Sequence, residues 1–162
     1  MQIIKGDITQ ISADAIINAA NAIGIMGAGV AGSIKKIGGV EISNEAIKLC
    51  LRYNFQPGSA YYTKTGKLDC KYIIHAVTMS FPGQKSSIDI VERCIYSIFK
   101  RAKQLQCKNI AMPGLGTKIG RVPVGKVAKL YKELIPKLEA KYNIRVIICD
   151  KDESFICALD NL

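Results

Sequence analysis

Short apolar runs alternate with amphipathic stretches along the whole chain. The runs at residues 2–5, 15–19, 59–64, 72–77, 109–112 and 144–149 have the composition and length of strands. Between them, residues 30–37, 42–53, 88–105, 124–142 and 153–159 read as helices. In the fourth of these, Val127, Leu130, Leu134 and Leu138 mark a buried face, while Lys126, Lys129 and Lys132 mark a wet one. Pro136 lies inside that stretch and predicts a kink or a split. Gly38-Gly39 and Pro57-Gly58 punctuate the earlier elements. Strands alternating with helices predict a layered α/β domain, a single one over residues 1–162, with helices on both faces of the sheet.

Composition narrows the class. A chain of 162 residues, 49% hydrophobic and 22% charged, can bury a real core and fits neither disorder nor a fibrous repeat. No apolar segment with a small-residue cleavage site follows Met1, so a cytoplasmic location is expected. Between Asp14 and Lys35 there is no charged residue, a length that imitates a membrane span. Asn18, Asn21 and Ser33, with glycines at 24, 27, 29 and 32, instead predict a buried strand followed by a loop. The six cysteines form no C-x-x-C pair and the chain has one histidine, which argues against a metal site and predicts reduced thiols. A net charge of +10 suits polyanions or phosphorylated ligands, although lysines on helix faces account for much of it.

Two glycine-rich segments stand where strands lead into helices, the usual place for a ligand in such a sheet. The first, residues 18–32, contains G-x-G-x-x-G at 27–32. The stretch Asn18 to Met26 intervenes before those glycines, which in a Rossmann unit follow the strand directly, and the region where a second acidic-ended strand should follow looks helical. Both features exclude a dinucleotide-binding Rossmann unit. The second segment, residues 113–123, reads P-G-L-G-T-K-I-G-R-V-P and lacks the G-K-[ST] ending of a P-loop. Free backbone N–H groups on two facing glycine loops predict a clamp for a diphosphate, with the Thr117 hydroxyl and the Lys118 ammonium as further anion contacts. Asp7 reads either as an acceptor for the exocyclic amine of adenine or as a helix N-cap. Asn21 reads either as a ribose-hydroxyl partner or as an Asx-turn. His75 ends an apolar run and reads as a core histidine.

These residues carry a family resemblance. G-D-I-T at 6–9, I-I-N-A-A-N at 16–21, G-V-A-G-S-I at 29–34, Y-I-I-H-A at 72–76 and I-A-M-P-G-L-G-T at 110–117 occur in the order and spacing of macro domains, the ADP-ribose-binding modules. The chain resembles that family over nearly its whole length. The resemblance implies a three-layer α/β/α fold around a central mixed six-stranded sheet. It implies that Asp7 takes the adenine amine with Ile8 beside the ring, and that Asn21 holds the distal ribose. Gly27, Ala28, Gly29 and Val30, with Leu115, Gly116, Thr117, Lys118, Ile119 and Gly120, would close over the diphosphate and distal ribose. No cofactor is implied.

Departures from the family pattern bear on catalysis. Ala31 stands where some hydrolytic members carry aspartate, and Met26 where viral-type members carry histidine. Cys149 stands where an aromatic often flanks adenine, and Thr78-Met79 where G-P often follows H-A-V. The sequence therefore leads to an ADP-ribose-binding domain that hydrolyses an ADP-ribose derivative, with Asn21 as its one catalytic candidate. The derivative would be a mono-ADP-ribosyl protein, ADP-ribose 1″-phosphate or O-acetyl-ADP-ribose. The alternative is a non-catalytic reader of ADP-ribose or poly-ADP-ribose. Expected partners are ADP-ribose or an ADP-ribosylated protein, with nucleic acid ranked last and no membrane.

Overall fold

The computed structural model describes all 162 residues. In chain order the elements are β1 (Gln2–Lys5), a 3₁₀ turn (Ile8–Gln10), β2 (Ala15–Asn21), α1 (Gly29–Gly38), α2 (Val40–Arg52), β3 (Ala60–Thr63), β4 (Tyr72–Met79), α3 (Ile88–Gln104), β5 (Asn109–Met112), α4 (Val124–Tyr142), β6 (Arg145–Asp150) and α5 (Glu153–Asp160). The six strands form one sheet in the order β1-β6-β5-β2-β4-β3. Neighbours pair in parallel except β3, which runs antiparallel to β4 at one edge. The sheet is thus mixed and the architecture is α/β/α, as the resemblance implied. No helix is long and apolar enough to cross a membrane.

Strand periodicity sorts side chains into two layers. Ala15 and Ile17 of β2, with Val146 and Ile148 of β6, face the larger core formed with α3, α4 and α5. Ile16 and Cys149 face a smaller core beneath α1 and the start of α2. Helix α3 shows how the sequence sets this packing. Val91, Cys94, Ile95, Ile98, Phe99 and Ala102 recur at helical spacing and are fully buried. Ser87 caps the helix by accepting the Ile90 N–H, with Asp89 in the first turn and Arg101 and Lys103 in the last.

Three expectations are corrected. Strand β2 continues past Ala19 to Asn21, because β4 pairs with it as far as Asn21 opposite Met79, with a register shift after Ala20. Asn21 therefore joins Asn18 in the strand, and the loop ends at Ala28, with Gly29 opening α1. Helix α4 runs unbroken through Pro136. That residue is exposed while Tyr131, Ile135 and Leu138 anchor the opposite face, so the carbonyl deprived of its N–H partner lies on the solvent side.

His75 has the core role expected of it. It is fully buried, its Nδ1 accepts from Asn18 Nδ2 at 3.0 Å, and its Nε2–H donates to Thr63 Oγ1 at 2.9 Å. Tyr61 stacks on the ring with centroids 4.7 Å apart. One imidazole thus ties β2, β4 and β3 together. Burial lowers its pKa to about 3, so it is neutral and donates through a single nitrogen.

Candidate active site

The carboxyl ends of the parallel strands open onto one continuous cleft, formed by two adjoining cavities of about 390 and 290 Å³. Gly29, Val30, Lys118 and Asp150 line both and mark the waist between them. The smaller cavity holds Gly6, Asp7 and Ile8 after β1, Cys149 and Lys151 around the end of β6, and Ser33 of α1. The larger holds Ala19, Ala20 and Asn21 of β2, the segment from Gly27 to Ala31, and Gly116, Lys118, Ile119 and Gly120 of the β5–α4 loop.

The walls of the waist are rich in unpaired donors. Helix α1 has no side-chain cap, and the N–H groups of Gly29, Val30 and Ala31 have no backbone acceptor; the first intrahelical bond is from Gly32 to Ala28. Those three donors and the positive end of the helix dipole face the cleft. Gly29 has φ +61° and an added Cβ would meet no atom within 4 Å, since it would project into the cleft. Opposite, no N–H from Gly116 to Gly120 donates to a backbone carbonyl. Gly116, at φ +72°, makes the turn, and a Cβ on Gly120 would lie 2.7 Å from the Gly116 oxygen, so both positions require glycine. The two arrays form a concave donor surface suited to phosphate oxygens.

Fixed charge is sparse and mostly engaged. Asp150 is 4% exposed. Its Oδ2 accepts the Gly114 N–H at 2.9 Å, and its Oδ1 accepts the Asp152 N–H at 2.9 Å and faces Lys118 Nζ at 3.4 Å. It thereby pins the β5–α4 loop to the end of β6. Asp7 caps the 3₁₀ turn, its Oδ1 accepting from the Thr9 N–H and hydroxyl at 3.0 and 2.7 Å. Its Oδ2 faces Lys151 Nζ at 3.4 Å and remains open to the smaller cavity. The Thr9 hydroxyl is the main reason its carboxyl titrates below the usual range. Burial, and then the Asp150 and Asp7 charges, push the Cys149 thiol up to about 11, so it is an apolar wall rather than a nucleophile at neutral pH.

Asn21 is an Asx-turn and a cleft residue at once. Its Oδ1 accepts the N–H groups of Ile23 and Gly24 at 3.1 and 3.0 Å, and its Nδ2 donates to the Ile25 carbonyl at 2.9 Å. Acceptor capacity is used up and one N–H remains. Leu115 and Thr117 do not line either cavity. Leu115 is fully buried with its N–H on Tyr131 Oη, and the Thr117 hydroxyl donates to the Gly114 carbonyl, so both shape the loop from behind. Met26 is buried in the smaller core, and Ala31 presents only a methyl group. A third wall is formed by Thr78 and Met79 at the end of β4 and by Pro82 and Gly83 in the loop after it, the last two not among the residues the sequence pointed to. Only the Pro82-Gly83 turn signal hinted at a loop there.

A mixed six-stranded sheet between helical layers, with two glycine loops facing across a cleft at the strand ends, defines an α/β domain whose cleft is shaped to suit an anion. The family model described as "Macro domain" matches residues 17–131. The chain belongs to the macro domain family. It is 39% identical over 162 residues to an uncharacterised protein of Aquifex aeolicus, covering 100% of this chain and 96% of that one. In structure it is similar to the Oceanobacillus iheyensis macrodomain with MES bound, at TM-score 0.87 and 21% identity over 98% of this chain and 87% of that one. It is also similar to the Trypanosoma brucei macrodomain in complex with ADP-ribose, at TM-score 0.81 and 22% identity, covering 98% of this chain and 67% of that one.

Proposed function

We propose that the domain binds ADP-ribose, free or attached to protein. The observation that carries this reading is the pair of unpaired N–H arrays, on α1 and on Gly116 to Gly120, facing each other across one cleft with Asp7 beyond one end and Asn21 at the other. The diphosphate spans the waist, where donors converge and Lys118 supplies a cation. Adenine enters the smaller cavity between Ile8, Val30 and Cys149, its amine donating to Asp7 Oδ2. The distal ribose lies in the larger cavity, where the spare Asn21 N–H donates to a hydroxyl oxygen.

That spare N–H also favours a second reading, cleavage of the bond at C1″ of the distal ribose. Water would add to the anomeric carbon as the leaving group departs with the bonding electrons. No carboxylate or imidazole is free at that end: His75 is buried and neutral, and Asp150 is bonded on both oxygens. The proton would therefore pass to a phosphate oxygen of the substrate itself, and catalysis would rest on positioning and charge stabilisation. Asn21 holds the sugar rather than the water, because its oxygen is already committed.

Calorimetry with ADP-ribose tests the first reading, and absence of binding at millimolar ligand would end it. Single-turnover assays on a mono-ADP-ribosylated protein test the second, with Asn21→Ala alongside. Release by the natural chain alone supports hydrolysis, whereas equal product from both would remove Asn21 from catalysis. Tight binding without release would leave a reader.

A further inference from the structure

Three loops meet around the distal mouth of the cleft, and each exposes a large apolar side chain. Ile25 of the β2–α1 loop is 49% exposed, Phe81 of the β4–α3 loop 57%, and Ile119 of the β5–α4 loop 48%. Ile25 and Ile119 line the larger cavity, as does Pro82 beside Phe81. The loops are fastened into one rim. The Ala22 N–H donates to the carbonyls of Met79 and Ser80 at 3.0 and 3.2 Å, and the Ser86 N–H donates to the Gly120 carbonyl at 2.8 Å. Gln84 Oε1 accepts from Ser80 and Phe81 N–H groups, which holds Phe81 in a turn with its ring facing outward. Apolar side chains that converge from three loops on one opening are costly in water unless something covers them.

Resting on the ADP-ribose reading, we propose that this rim is a docking surface for the polypeptide that carries the modification, and that it selects apolar residues flanking the modified side chain. The rim is continuous with the cleft, at the end where C1″ and whatever is joined to it must emerge. It is also small: three side chains around an opening fall far short of the ~800 Å² per partner that a stable dimer needs, which disfavours a second copy of this chain. Two of the three are branched aliphatics without a π face, a poor platform for nucleobases but a good one for Leu, Val or Ile of a peptide.

The test compares two synthetic peptides that carry ADP-ribose through an amide at C1″, a poor leaving group. They differ only in having Leu and Val, or Gly and Ser, on either side of the modified residue. The natural chain is expected to bind the apolar peptide about tenfold more tightly than the polar one. Phe81→Ser, a residue outside the cleft lining, is expected to remove most of that difference and keep the Kd for free ADP-ribose. Equal affinity for the two peptides overturns the proposal while free ADP-ribose still binds, which separates it from failure of the ADP-ribose reading. Two other results also overturn it: a dimer in sedimentation that Phe81→Ser dissociates, or tighter binding of an ADP-ribosylated oligonucleotide than of the apolar peptide.

Discussion

Asp7 has a structural use on one oxygen and its proposed ligand use on the other, so the two can be separated. Asp7→Asn keeps an oxygen for the Thr9 N–H and hydroxyl, whereas Asp7→Ala removes the cap and should cost about 1 kcal/mol of stability. Both variants should weaken ADP-ribose roughly tenfold or more and leave ribose 5-phosphate, which has no adenine, unchanged. Calorimetry with the two ligands checks this, and equal losses for both would contradict the adenine role. The Thr9 hydroxyl, with help from Lys151, keeps the Asp7 carboxyl ionised below the usual carboxylate range. ADP-ribose affinity should therefore stay level between pH 8 and pH 5. Gly29 makes the sharper case. At φ +61° any side chain is strained, and a Val there would fill the space between the two donor arrays. Gly29→Val should abolish ADP-ribose binding in the same titration while the chain stays folded by circular dichroism; unchanged affinity would place the diphosphate elsewhere.

At the scale of elements, α4 offers a stability prediction. Pro136 sits on its exposed face, removes one helical hydrogen bond and is held only because Tyr131, Ile135 and Leu138 pack opposite. Pro136→Ala should restore that bond and stabilise the domain by about 1–2 kcal/mol, the helix gain being partly offset by a freer unfolded chain. A rise in Tm of a few degrees checks it, and a fall would mean that the proline ring itself packs. The same helix shows what the sequence reveals about elements. The bounds of β1, β5 and α4 are legible because apolar period and flanking residues agree. The end of β2 is not. Asn disfavours strands locally, and only pairing with Met79 of β4 carries the strand on to Asn21. The site divides in the same way. Asp7, Asn21 and the two glycine loops announce themselves by residue type. Asp150, Lys151 and the loop with Pro82 and Gly83 reach the cleft only through contacts distant in sequence, such as Ser86 with Gly120.

For the whole molecule, the buried imidazole links stability to pH. His75 titrates near 6.5 in the unfolded chain but at about 3 when folded. Between those values the unfolded state binds more protons, so stability rises with pH and is lost as pH falls below 6.5. The slope approaches about 1.4 kcal/mol per pH unit. Urea melts at pH 6.5 and 4.5 should show the natural chain losing roughly 2–3 kcal/mol more than His75→Gln; since the chain has one histidine, parallel losses would refute the link. The sheet order has a consequence of another kind. β1 has one neighbour, β6, and Gln2 pairs with Ile147, so the first strand made has no partner until nearly the last has emerged from the ribosome. Closing so long a chain segment is slow, and an unpaired apolar strand invites aggregation meanwhile. Asp7 follows directly on that strand. The end of the cleft that holds Asp7 is therefore assembled last, and because Asp150 of β6 also holds the β5–α4 loop at Gly114, the cleft takes shape only when the two ends of the domain meet.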